Sequence, residues 1–137
     1  MAVGSLLGWM RAQRLVDLAF RVRPNSEFVV FRGQSQTRRE VFAGIQNLAA
    51  GLQGLGVEKG HRVVSLLPAC PEAVYALFLP HVLGSIHVPL HPLLGLHDLR
   101  HILADCQAKV VICMQGGFGP DHPAILARLL PELPHLR

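Results

Sequence analysis

Lysine is nearly missing from this chain: it occurs only at Lys59 and Lys109, and arginine supplies the rest of the 13 basic residues. Aromatic residues make up 6% and charged residues 16%. So few rings offer little surface for stacking bases, and the arginines are scattered instead of grouped, which argues against a nucleic-acid partner. Cysteine is scarce too. Cys70, Cys106 and Cys113 are odd in number and form no Cys-x-x-Cys pair, so neither a disulfide framework nor a thiolate zinc site is expected. Three buried thiols in a reducing compartment fit best, which makes the cytoplasm the expected location. Arg11, Arg14, Arg21 and Arg23 keep a mitochondrial leader open as the alternative, although serine is sparse there. Leu6–Met10 is too short for the apolar region of a secretory signal. No Gly-x-Ser-x-Gly nucleophile motif occurs, and no close pair of acids suggests glycoside hydrolysis.

What is present is apolar. Half of the 137 residues are hydrophobic, enough for one domain with a real core and more than a small free-standing domain needs, which hints at surface meant to be covered. The net charge of +4 is concentrated before position 40, where Arg11, Arg14, Arg21, Arg23, Arg32, Arg38 and Arg39 face only Asp17 and Glu27. That segment and the uncharged run 73–90 leave peripheral membrane contact open. The run does not read as a transmembrane span, because Pro80, Gly84, Pro89, His81 and His87 interrupt it.

The chain is organised around residues 57–113. Three short apolar runs, Arg62–Leu67, Ile86–Pro89 and Val110–Cys113, are separated by Pro71–Leu83 and Leu96–Cys106, each long enough for a helix. Strands alternating with helices predict an α/β fold with a parallel sheet. Their near-continuous Val, Leu and Ile predict strands covered by helices on both faces. Pro71 suits the first position of its helix, Cys70 is a poor cap, and Pro80 should kink that helix or end it early.

Upstream, Ser5–Val22 reads as an amphipathic helix and Pro24-Asn25-Ser26 as its end, giving residues 1–26 as a helix with linker and 27–137 as the domain. Glu27–Arg32 is a strand, with Ser35–Thr37 returning after Gly33-Gln34. Thr37 and Glu40 have capping-box spacing, and Gly54 and Gly56 close the helix that follows. Downstream, Gly116–Gly119 is a loop and Pro123–Leu130 a short helix.

The series Val57-Glu-Lys-Gly-His-Arg-Val-Val, Leu67-Pro-Ala-Cys-Pro-Glu, Gly84-Ser-Ile-His-Val-Pro-Leu-His-Pro and Ala108-Lys-Val-Val-Ile resembles the start of the adenylate-forming family, the AMP-dependent synthetases and ligases that include acyl-CoA synthetases. The resemblance covers roughly residues 15–137. It implies the first part of the N-terminal domain of an enzyme several times longer, one that makes an acyl-adenylate from ATP and passes the acyl group to a thiol. ATP, Mg and coenzyme A are implied for the full-length family, and none of them for this chain. Relatives have an aromatic residue where this chain has Arg38, Asp at His61, and Asn or Asp at His91. They hold ATP phosphates with a Ser/Thr/Gly-rich loop ending in Pro-Lys-Gly and use a lysine from a later domain. Neither Lys59 nor Lys109 lies in such a loop, so this chain alone is not expected to catalyse. The other reading is a small interaction module of the same family, pairing with a full-length ligase or another protein through exposed sheet edges.

No residue is assigned a catalytic, cofactor-binding or metal-binding role. His97 and His101 share a helix face at metal-ligand spacing, His87 and His91 repeat that spacing, and Asp98, Asp105 or Cys106 could add a third ligand. Eight scattered histidines give such pairs by chance. The Gly116–Gly119 loop lacks the lysine and hydroxyl of a phosphate-binding loop. His61 reads as a solvated turn residue before it reads as a pH-sensitive group.

Overall fold

The structure is a computed structural model that describes residues 13–116 and 119–136. The N-terminal part of the expected first helix, with Leu6–Met10, lies outside the described residues, as do positions 117 and 118 of the glycine loop. Residues 13–21 are helical (α1). They are followed by β1 (Glu27–Phe31), β2 (Gln34–Thr37), α2 (Arg38–Gly54), β3 (Arg62–Leu66), α3 (Pro71–Leu83), β4 (Ile86–Pro89), α4 (Leu96–Asp105), β5 (Val110–Cys113), α5 (His122–Leu129) and a 3₁₀ turn, Leu130–Glu132.

β1 and β2 form an antiparallel hairpin, while β4, β3 and β5 form a parallel sheet in that order. The expected α/β architecture, a parallel sheet with flanking helices, is therefore present. Arg32 and Gly33 both have positive φ, 50° and 77°, so a two-residue loop connects β1 to β2. At the start of α2 the Thr37 hydroxyl accepts the Glu40 N–H at 3.3 Å, and the Glu40 carboxylate accepts the Thr37 N–H at 2.7 Å. At its end, Gly56 at φ 79° donates to Gln53 and Val57 donates to Leu52. Those two bonds satisfy carbonyls that the last helical turn leaves open, and Val57 and Leu52 pack together in the core.

β3 runs through the centre of the sheet. Val63, on one face, packs with Ala76, Leu79 and Leu83 of α3 and with Ala49 and Leu52 of α2. Val64 and Leu66, on the other, pack with Leu99 and Leu103 of α4 and Leu129 of α5. This is why its sequence is apolar after Arg62, Ser65 excepted. β4 does not follow the same rule. None of its four residues is buried and Ile86 is 51% exposed, because among the described residues β4 is an edge strand paired with β3 alone. A third cluster ties α1 to the domain: Phe20 is buried against Phe28, Phe42 and Phe78 with ring centroids 5.1, 5.3 and 5.2 Å away.

Pro80 does not end α3 early. The helix runs on to Leu83 and stops at Gly84, whose φ is 67° and whose N–H donates to the Pro80 carbonyl. Burial of Ala76, Leu79 and Leu83 holds the helix where proline removes one N–H. All three cysteines are free, as expected, but their thiols are only half-buried and not buried. Among the described residues, no helix is long and apolar enough to cross a membrane.

Candidate functional site

The parallel register of β3 and β4 pairs Val63 with His87 and Ser65 with Pro89. Side chains alternate along a strand, so Ser65 and His87 share the sheet face that α3 covers. They meet there, with Ser65 Oγ 2.8 Å from His87 Nε2. Ser65 is buried and is one of few buried polar residues in the domain. Beside the pair lies an open groove of about 410 Å³, lined by Val30 and Phe31 of β1 and by Val74 and Leu77 of α3. The groove therefore sits at the carboxyl ends of β3 and β4 with the N-terminal turn of α3 on its rim.

Burial sets the protonation states here. It holds the His87 imidazole below its ordinary value, so the ring is neutral at pH 7. Burial likewise pushes the Cys70 thiol up, leaving it protonated and a weak nucleophile. Cys70 precedes α3 and makes no capping bond with its side chain, as its chemistry suggested.

Of the residues singled out from the sequence, His87 and Cys70 line this groove and the other histidines do not gather there. His87 and His91 have separate partners, since His91 Nδ1 accepts the Leu93 N–H at 3.2 Å. His97 and His101 are both exposed on α4, and among the described residues no three of His, Cys, Asp and Glu come together as a metal-binding group. His61 Nδ1 accepts the Glu58 N–H at 2.9 Å, which makes it the closing residue of the turn before β3. After the glycine loop, Asp121 accepts the Ala124 N–H at 3.1 Å. Its carboxylate thus occupies the N-terminus of α5, where a bound phosphate would meet like charge. Ser65 was not anticipated. Its signal is a single hydroxyl inside the run Arg62–Leu66, otherwise apolar after Arg62; its partner comes from the next strand.

Residues 16–136 match a family described as AMP-binding enzyme. A long-chain-fatty-acid–CoA ligase of Bacillus subtilis (strain 168) is 35% identical over 100 residues, 73% of this chain and 18% of that protein. A feruloyl-CoA synthase of an Amycolatopsis species is 35% identical over 109 residues, 80% of this chain and 21% of that one. The chain thus spans about a fifth of the length of these curated relatives. Among solved structures, the anthranilate CoA ligase AuaEII in complex with anthranoyl-AMP superposes with a TM-score of 0.78 at 28% identity, covering 91% of this chain and 23% of the ligase. A putative long-chain-fatty-acid CoA ligase from Rhodopseudomonas palustris CGA009 gives 0.72 at 27% identity, covering 89% and 29%.

Proposed function

Since the chain belongs to the AMP-binding enzyme family, we propose that it forms the opening part of the N-terminal domain of an ATP-dependent ligase that activates a carboxylic acid. The parent reaction joins the acid to AMP with release of pyrophosphate and then transfers the acyl group to a thiol such as coenzyme A. The observation that carries this reading is the unbroken match over residues 16–136, in which helices, strands and turns occur in the order of the ligases.

The residues in hand do not fit the phosphates of ATP. Lys59 precedes β3 and Lys109 precedes β5, so both lie at the amino ends of the strands, across the sheet from the groove. The glycine loop leads to a helix already capped by Asp121. A departing pyrophosphate needs positive charge placed against it, and that charge would come from the rest of such an enzyme. This segment instead supplies a rigid three-stranded wall and the helices packed on it.

ATP–pyrophosphate exchange tests the proposal. A polypeptide captured from its source cells by an antibody against residues 37–55 should exchange label when supplied with acetate, a long-chain fatty acid or an aromatic acid. The purified 137-residue chain should not. Exchange by the bare chain, or none by the captured polypeptide with any of these acids, would overturn it.

A further inference from the structure

We propose that the groove above Ser65 and His87 binds a small, uncharged, largely apolar molecule carrying one oxygen as a hydrogen-bonding head, such as an alcohol. The inference stands apart from the ligase reading and rests on the groove alone.

The first argument is hydrogen-bonding capacity. A hydroxyl has one donor and two acceptor positions, and a neutral imidazole has one donor and one acceptor. The single bond between Ser65 Oγ and His87 Nε2 leaves part of that capacity unspent in either tautomer. If Nε2 accepts, the serine oxygen keeps its lone pairs for a donor; if Nε2–H donates, the serine hydrogen is free for an acceptor. An alcohol serves both cases.

The second argument is shape and charge. An open groove of about 410 Å³ with apolar walls and one polar pair has room for a small molecule and gives it one polar point of attachment. No Lys, Arg, Asp or Glu lines it. Burial keeps His87 neutral and Cys70 protonated, so a carboxylate or an amine would enter with no counter-charge. Val30 and Leu77 stand at the rim 62% and 56% exposed, apolar surface that a bound molecule would remove from water.

Benzyl alcohol and toluene have nearly the same shape and differ by one hydroxyl, so the pair isolates the polar contact. Titrated into the full chain and followed through the ¹⁵N signals of the His87 ring and the Leu77 methyls, benzyl alcohol should bind about tenfold more tightly than toluene, the size of one hydrogen bond. Ser65→Ala should abolish that preference while leaving toluene binding unchanged. Equal affinity for the two probes would mean that the groove is an apolar face for another element to cover, and the proposal would fail. It would fail equally if neither probe moved the His87 signals. The wild-type titration decides even if the Ser65→Ala chain proves unstable.

Discussion

His61 and His91 stand where the ligase resemblance leads one to expect Asp and an Asn or Asp. Each does the local work of such a residue, accepting a backbone N–H through Nδ1. Side-chain oxygens usually hold turns in this way, and here ring nitrogens do so. His87 is a different case, because its neutral form is the buried one. Its lowered pKa means that the unfolded chain takes up a proton near the ordinary value of 6.5 before the folded chain does. The native state is thus favoured fully above about pH 6.5 and progressively less as pH falls below it toward the folded value. Urea denaturation at pH 7.5 and 5.5 should show a larger loss of stability for the wild type than for His87→Gln; equal losses would refute this assignment. Arg62 carries a larger structural role. Its guanidinium donates to the Cys106 carbonyl at 2.6 Å, the Gln107 carbonyl at 3.2 Å and the Gln107 side chain at 2.9 Å, tying the end of α4 to the start of β3. Arg62→Met should cost about 1.5–3 kcal/mol in chemical denaturation, the range for hydrogen bonds to a charged group. Arg62→Lys should restore only part of it, for an ammonium cannot span these acceptors as a planar fork does.

At the level of elements, the hairpin loop and α3 each carry a residue that opposes local preference. Arg32 occupies left-handed backbone at φ 50° in a two-residue turn that favours Asn followed by Gly. Its guanidinium lies 5.2 Å from the Phe31 ring centroid, an exposed contact that contributes little. Arg32→Asn should therefore raise stability by about 1 kcal/mol, scored by the urea midpoint; an unchanged or lower midpoint would show that the ring contact matters more than the backbone. Pro80→Ala returns an N–H to α3 and should stabilise the chain by about 1–3 kcal/mol. A loss instead would mean that packing of the proline ring outweighs the missing hydrogen bond. These two positions also mark how far the sequence could be read. Helix α2 was legible because Thr37, Glu40, Gly54 and Gly56 announce both ends, and α3 because Pro71 and Gly84 bracket it. The early end that Pro80 suggested did not occur, because the burial of Ala76, Leu79 and Leu83 on either side of it holds the helix together. The exposure of β4 was not legible, since Ile-His-Val-Pro reads alike in an edge strand and in a central one. The Ser65–His87 contact was hidden for a related reason. It depends on the register between parallel strands, which an intervening helix sets and no local pattern records.

At the scale of the whole molecule, the composition and the structure agree on an apolar surplus. Mean hydropathy is +0.35, and Leu55, Ile86, Leu93, Met114 and Leu130, all outside the groove, are each more than two-fifths exposed. The outer edges of β4 and β5 carry no partner strand among the described residues. Relatives roughly five times longer match 73% and 80% of this chain, and on the proposed reading the remainder of a ligase would cover that surplus. The central claim is then that this sequence works as one part of a larger carboxylate-activating polypeptide. The most direct measurement is the mass of the species that an antibody against residues 37–55 detects in an extract of the source cells. A band several times larger than 15.0 kDa is the predicted result, and a band at 15.0 kDa alone would contradict the claim.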